Sequence, residues 1–149
     1  MENEKVIGIL EDLVETSRDG QKGYREAAEH VKDPELRTFF SQQSSERGRF
    51  VTELQSQLRR LGEDEPENTG SVAGTINRTW LDLKASLGGG DTAILNSVEQ
   101  GEDSAKEAYE EALEEPLPEN IVLIVRQQAQ SVIAAHDRVK LLRDGRKAA

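Results

Sequence analysis

The sequence predicts an all-α protein: two helical hairpins joined by a long crossover that contains a short helix. Three observations carry this. Apolar residues recur at alternating spacings of four and three over four long stretches, which is helical periodicity. The first hairpin pattern returns about 85 residues later, with Tyr24 answered by Tyr109 and Ala27 by Ala112. The stretch between the two halves is far longer than a bundle loop needs. At 149 residues the chain is read as one domain over 1–149, with a hairpin at 3–62, a crossover at 63–90 and a hairpin at 91–145.

The first helix is expected from Asn3 to about Lys32, with Val6, Leu10, Leu13, Ser17, Gly20, Tyr24, Ala27 and Val31 on its seam. Gly20 and Gly23 each cost a helix about 1 kcal/mol against Ala. Their presence points to a close neighbour at that level rather than to ligand contact. Asp33-Pro34-Glu35 starts the second helix, with Asp33 as N-cap and Pro34 in the first turn. That helix runs to about Leu61, with Leu36, Phe40, Gln43, Arg47, Phe50, Leu54 and either Leu58 or Leu61 inward, and Gly62 stops it. A two-residue link makes these helices antiparallel neighbours.

Val72, Ile76, Trp80, Leu83 and Leu87 mark a short amphipathic helix in the crossover. Trp80 is read as a cap on the core rather than a binding anchor. Gly88-Gly89-Gly90 ends it and lacks the Lys-Ser/Thr and preceding strand of a phosphate loop. Asp91 or Thr92 is expected to cap the third long helix, whose seam is Leu95, Val98, Glu102, Ala105, Tyr109 and Ala112. Glu115-Pro116-Leu117-Pro118 breaks it. The fourth runs from about Glu119 to Asp144 on Ile121, Val125, Gln128, Val132, Ala135, Val139 and Leu142, with Gly145 closing it and Arg146-Lys147 facing its dipole.

A shift of 85 superposes Leu10 on Leu95, Ser17 on Glu102, Gln43 on Gln128 and Leu54 on Val139. A shift of 84 aligns Glu15 with Glu99 and Pro34 with Pro118 but places the core less well. An 18-residue crossover helix plus about ten extended residues spans the roughly 42 Å of a long helix. From this the third long helix is expected to start at the end where the first one started.

Arg18-Asp19-Gly20, Tyr24-Arg25-Glu26-Ala27-Ala28-Glu29-His30, Asp33-Pro34-Glu35-Leu36, Gly70-Ser71-Val72-Ala73-Gly74, Trp80-Leu81-Asp82-Leu83-Lys84, Gly101-Glu102-Asp103 and His136-Asp137 together resemble the bacterial ferritin-like four-helix-bundle family of unknown function. The resemblance spans nearly the whole chain. It implies a ferritin-like four-helix bundle with one crossover, and brings no established activity. Related ferritin-like bacterial proteins are linked with stress responses.

Ferritin-like di-iron centres take a carboxylate from each of two helices and a Glu-x-x-His from each of the other two. In the pattern that the resemblance implies, a Glu lies seven residues before a Tyr; Glu102 before Tyr109 fits, and Ser17 before Tyr24 does not. Glu46 stands where a Glu-x-x-His would begin, but Arg49 follows in place of His. His136 lies on the flank of its seam and His30 far from the middle of the bundle. The favoured reading is therefore a buried polar layer of Ser17, Gln43, Arg47, Glu102 and Gln128, with Arg47 pairing Glu102. The alternatives are a single metal site of Glu46, Glu102 and His136, or a di-iron centre, so no cofactor is expected unless iron or another divalent metal binds there. Glu11, Glu15 and Glu99 are read as a solvated face.

No Ser/His/Asp arrangement and no carboxylate pair suited to acid–base work is present, so no enzymatic reaction is expected unless a metal site supports an oxidase. With no cysteine there is no disulfide or thiolate site, in keeping with the cytoplasm. The first residues lack the build of a signal peptide and no apolar run is long enough for a membrane span. A net charge of −10 disfavours nucleic acid and anionic membranes. What remains is action by association, as a homodimer or other homo-oligomer or with a protein partner.

Overall fold

The computed structural model describes residues 2–63, 80 and 83–148, with the side chains of 147 and 148 aside. These form five helices and no strand: α1 (Asn3–His30), α2 (Pro34–Arg60), the short α3 (Leu83–Ser86), α4 (Asp91–Leu113) and α5 (Glu119–Ala148). The four long helices pack around a common core. α1 lies between α2 and α4, and α5 touches α4 and α2.

Local chemistry sets most boundaries as expected. The Asp33 side chain accepts a hydrogen bond from the Glu35 amide, and Pro34 opens α2. Gly62 takes φ +96° just past α2, a backbone region closed to most side chains. Two starts and stops differ. Gly90, not Asp91, precedes α4, and no side chain caps that end. Gly145 lies inside α5, because a single exposed Gly near a helix end costs too little to stop it. The expected helix around Val72 and Ile76 lies outside the described residues; α3 is its described end.

Asp91 has a different task. Its carboxylate accepts hydrogen bonds from the amides of Lys32 (2.8 Å) and Asp33 (2.9 Å), in the link between α1 and α2. Arg146 from the end of α5 bonds Asp33 at 2.7 Å and lies 3.8 Å from Asp91. One end of the molecule thus gathers the end of α1, the starts of α2 and α4, and the end of α5. At the opposite end Lys5 of α1 meets Glu115 beyond α4 at 3.4 Å. α4 therefore begins where α1 finished, not where it started, and runs antiparallel to it. The expectation failed on direction alone. α2 already returns the chain to the starting end, so a crossover along its length delivers α4 to the far end. α2 and α4 consequently run parallel.

The seam residues are buried along all four long helices, except Gln43 and Leu142, which are half-buried. They form two apolar clusters, not one. The first gathers Leu10, Leu13, Phe50, Leu54, Tyr109, Val125 and Val132. The second gathers Tyr24, Phe40, Trp80, Ile94, Leu95 and Val139. Buried polar side chains separate them.

Trp80 belongs to the core, and two glycines make its place. A Cβ on Gly23 would stand 2.4 Å from the indole Cε3, and one on Gly101 2.4 Å from Cε2. The ring lies over the point where α1 and α4 expose bare backbone, with its centroid 5.3 Å from that of Tyr24. Gly23→Ala should therefore destabilise the fold by about 1–2 kcal/mol, since overpacking outweighs the gain in helix propensity. Gly145→Ala, with open space around it, should stabilise by up to about 1 kcal/mol. Urea melts followed by Trp80 fluorescence measure both. A neutral Gly23→Ala with unshifted emission would show that the indole is not held between the two helices.

Candidate functional site

At mid-length the four long helices turn polar side chains inward. Arg47 of α2 and Glu102 of α4 are 1% and 0% exposed. Arg47 Nη2 donates to Glu102 Oε2 at 2.5 Å. Room for the guanidinium comes from α1, where a Cβ on Gly20 would stand 2.7 Å from Arg47 Nη1. The Arg47 guanidinium also lies 5.3 Å from the centroid of the Tyr24 ring. Burial alone would lower the pKa of Arg47, but the Glu102 carboxylate more than offsets it and holds the guanidinium charged.

A second network adjoins the first. Ser17 Oγ lies 3.1 Å from the Tyr109 hydroxyl, which in turn donates to Gln128 Oε1 at 2.7 Å. Gln128 Nε2 donates to Glu53 Oε1 at 2.9 Å. With the Tyr109 proton committed to Gln128, Ser17 is the donor in its own bond. Burial pushes the Tyr109 phenol up to about 12, against the opposing effects of Ser17 and Arg47. Burial, reinforced by the Glu102 carboxylate, pushes Tyr24 well above its ordinary value.

The reciprocity follows the sequence repeat. Tyr109 reaches Ser17, and the Glu102 carboxylate acts on Tyr24; Ser17 and Glu102 are each seven residues before the Tyr of their own helix. Yet the Tyr24 half is incompletely paired. Tyr24 Oη, Gln43 Oε1 and Glu102 Oε1 are all buried and none has a hydrogen bond of good geometry. Gln128 completes the Tyr109 half, whereas its counterpart Gln43 makes no bond that would join it to Arg47 or Glu102.

The other predicted residues are placed apart from this layer. Glu46 is ion-paired with Arg49 at 3.7 Å. His136 bonds Asp103 through Nε2 at 2.5 Å and Asp137 through Nδ1 at 3.0 Å. Burial would lower the His136 pKa, but these two hydrogen bonds raise it above the ordinary value. Among the described residues no three His, Asp or Glu side chains converge on a position that would hold a metal ion.

The solvated-face reading fails for two of its three carboxylates. Glu15 is only 6% exposed, and burial, with the Asp12 and Glu11 carboxylates, pushes it up to about 7 against the pull of Arg18. Glu99 is largely covered and ion-paired with Arg143 of α5. The polar-face position of Glu99 on the helical wheel conceals the contact made by α5.

Residues 5–115 match the family described as "Domain of unknown function (DUF2383)". The chain belongs to this family. The matched segment takes in α1 to α4 apart from its first two residues and stops short of α5. A comparison with curated proteins gives no match.

In this DUF2383 chain the polar layer has three members that the seam pattern did not single out. Tyr24 and Tyr109 read as core aromatics, with nothing to reveal what their hydroxyls meet. Glu53 lies off the seam of α2 and reaches the layer only through Gln128.

Removing either Arg47 or Glu102 leaves a buried charge, at a cost of about 3–5 kcal/mol. Arg47→Met with Glu102→Leu should cost far less than the sum, giving a large coupling energy in a urea double-mutant cycle. Additive single changes would mean that the two side chains act independently.

The two tyrosines, the only ones in the chain, also report on the layer. Both phenols are raised in the folded state, so their contribution to stability is complete below the unfolded value of about 10 and declines above it. For Tyr109 the decline runs up to about 12. Absorbance at 295 nm should show no tyrosinate until helix is lost in alkali. A tyrosinate titrating near pH 10 with helicity intact would show that water enters the layer.

Proposed function

We propose that this protein is a ferritin-like four-helix bundle that has no working metal centre and acts by association, with itself or with a protein partner. The observation that carries the reading is the Arg47–Glu102 pair. A ferritin-like bundle gathers carboxylates and imidazoles at mid-length to bind cations. Here a fixed guanidinium occupies that level and engages Glu102, a carboxylate that fits the ligand pattern. A cation beside Arg47 would meet a like charge in a low-dielectric interior. The two hairpins, the parallel α2 and α4 and the crossover between them support the ferritin-like topology.

The competing reading is a metal-binding protein using Glu46, Glu102 and His136, or a remnant di-iron centre. Both carboxylates and the imidazole already have protein partners. Binding metal would require breaking those contacts. Elemental analysis of protein purified without a metal-binding tag, followed by aerobic Fe(II) titration, separates the two. The expected result is no stoichiometric metal and an oxidation rate equal to the protein-free background. Stoichiometric iron with oxidation above background would overturn the proposal.

A further inference from the structure

We infer that the outer face of α5 is a self-association surface, on which a second copy of the chain docks antiparallel about a two-fold axis at the level of residue 132. The inference rests on the association reading above and names its partner. Leu123 and Leu141 are the large apolar side chains that the described residues leave exposed, at 57% and 70%. They are 18 residues apart, which at 100° per residue returns to the same side of the helix about 27 Å along its axis. Gln127, Gln130 and Ala134 lie between them on that face and are exposed. The stripe points away from the seam that α5 buries.

The charges around the stripe fit a second copy. A two-fold interface must be self-complementary, so each residue meets the one equally far beyond the axis. Leu123 and Leu141 lie nine residues on either side of 132, so each Leu meets the partner's other Leu. Arg126 lies six residues before the axis and Asp137 five after, on the same flank of the stripe. An antiparallel pair brings like flanks together, so Arg126 meets the partner's Asp137, twice over. Arg126 makes no ion pair with a described residue, and the Asp137 side chain is 64% exposed. Gln130 and Ala134 fall beside the axis, where a small side chain lets backbones approach. The like charges Glu119 and Asp144 lie 13 and 12 residues out, beyond the Leu pairs, and Asp144 is already ion-paired with Arg143 at 2.8 Å.

One helix stripe is smaller than the roughly 800 Å² per partner of a standard interface, so the dimer should be weak, on the order of 10 μM.

Sedimentation velocity of the full chain from about 1 to 200 μM provides the test, at concentrations bracketing that affinity. The wild type should move from monomer to dimer. Leu123→Glu or Leu141→Glu should weaken dimerisation at least tenfold with the thermal melt unchanged, since neither side chain belongs to the core. Arg126→Glu and Asp137→Arg should each weaken it several-fold, and the double reversal should restore it. In a chain with no cysteine, Ala134→Cys should cross-link with a short bismaleimide, while Glu29→Cys on α1 should not. A wild type monomeric throughout overturns the inference. A dimer insensitive to the Leu substitutions, or one that the double reversal leaves weakened, overturns this face but leaves the association reading standing.

Discussion

One buried ion pair organises the middle of this molecule. Arg47 and Glu102 belong to α2 and α4, which are parallel and not neighbours in sequence. Burying a guanidinium and a carboxylate costs several kcal/mol each unless they meet. Their pairing therefore constrains the register of two helices that no short loop connects. Gly20 on α1 is part of the same constraint, because any side chain there would enter the volume of the guanidinium. The pair divides the core into two apolar clusters, and each has its own tyrosine at the boundary.

The same logic of matched absences recurs one level along the bundle. Gly23 and Gly101 leave bare backbone on α1 and α4, and the Trp80 indole fills the space. Both glycines would be poor choices in an isolated helix. They are tolerated because burying the indole stabilises by more than helix propensity loses. The crossover thereby contributes to the core, in addition to carrying the chain from the end of α2 to the start of α4.

Asp91 shows how one residue type serves different ends. Next to a helix start, an Asp reads as an N-cap. Here it satisfies the free amides of Lys32 and Asp33 in the link between the first two helices. Those amides have no intrahelical partner, and the carboxylate answers them from a helix that begins 58 residues later. With Arg146 of α5 beside Asp33 and Asp91, this end of the bundle is tied by polar contacts among all four long helices.

The sequence by itself determined the helices, their inward faces and the hairpins, because a 3.6-residue period and cap chemistry are local properties. It also determined that Arg47 needed a buried acid, since a charge on an apolar seam must be paired and Glu102 was the seam carboxylate available. The tertiary structure alone decided what lies off that period. Glu15 and Glu99 read as solvated from their own helices, but Glu15 is buried and Glu99 meets Arg143 of α5. Gln43 and Gln128 occupy equivalent seam positions, yet only Gln128 is bonded into the layer. The direction of α4 was likewise decided in three dimensions, where Asp91 meets Lys32 and Asp33. A seam pattern records which side of a helix is buried; the partner that each side chain meets depends on where distant segments are brought.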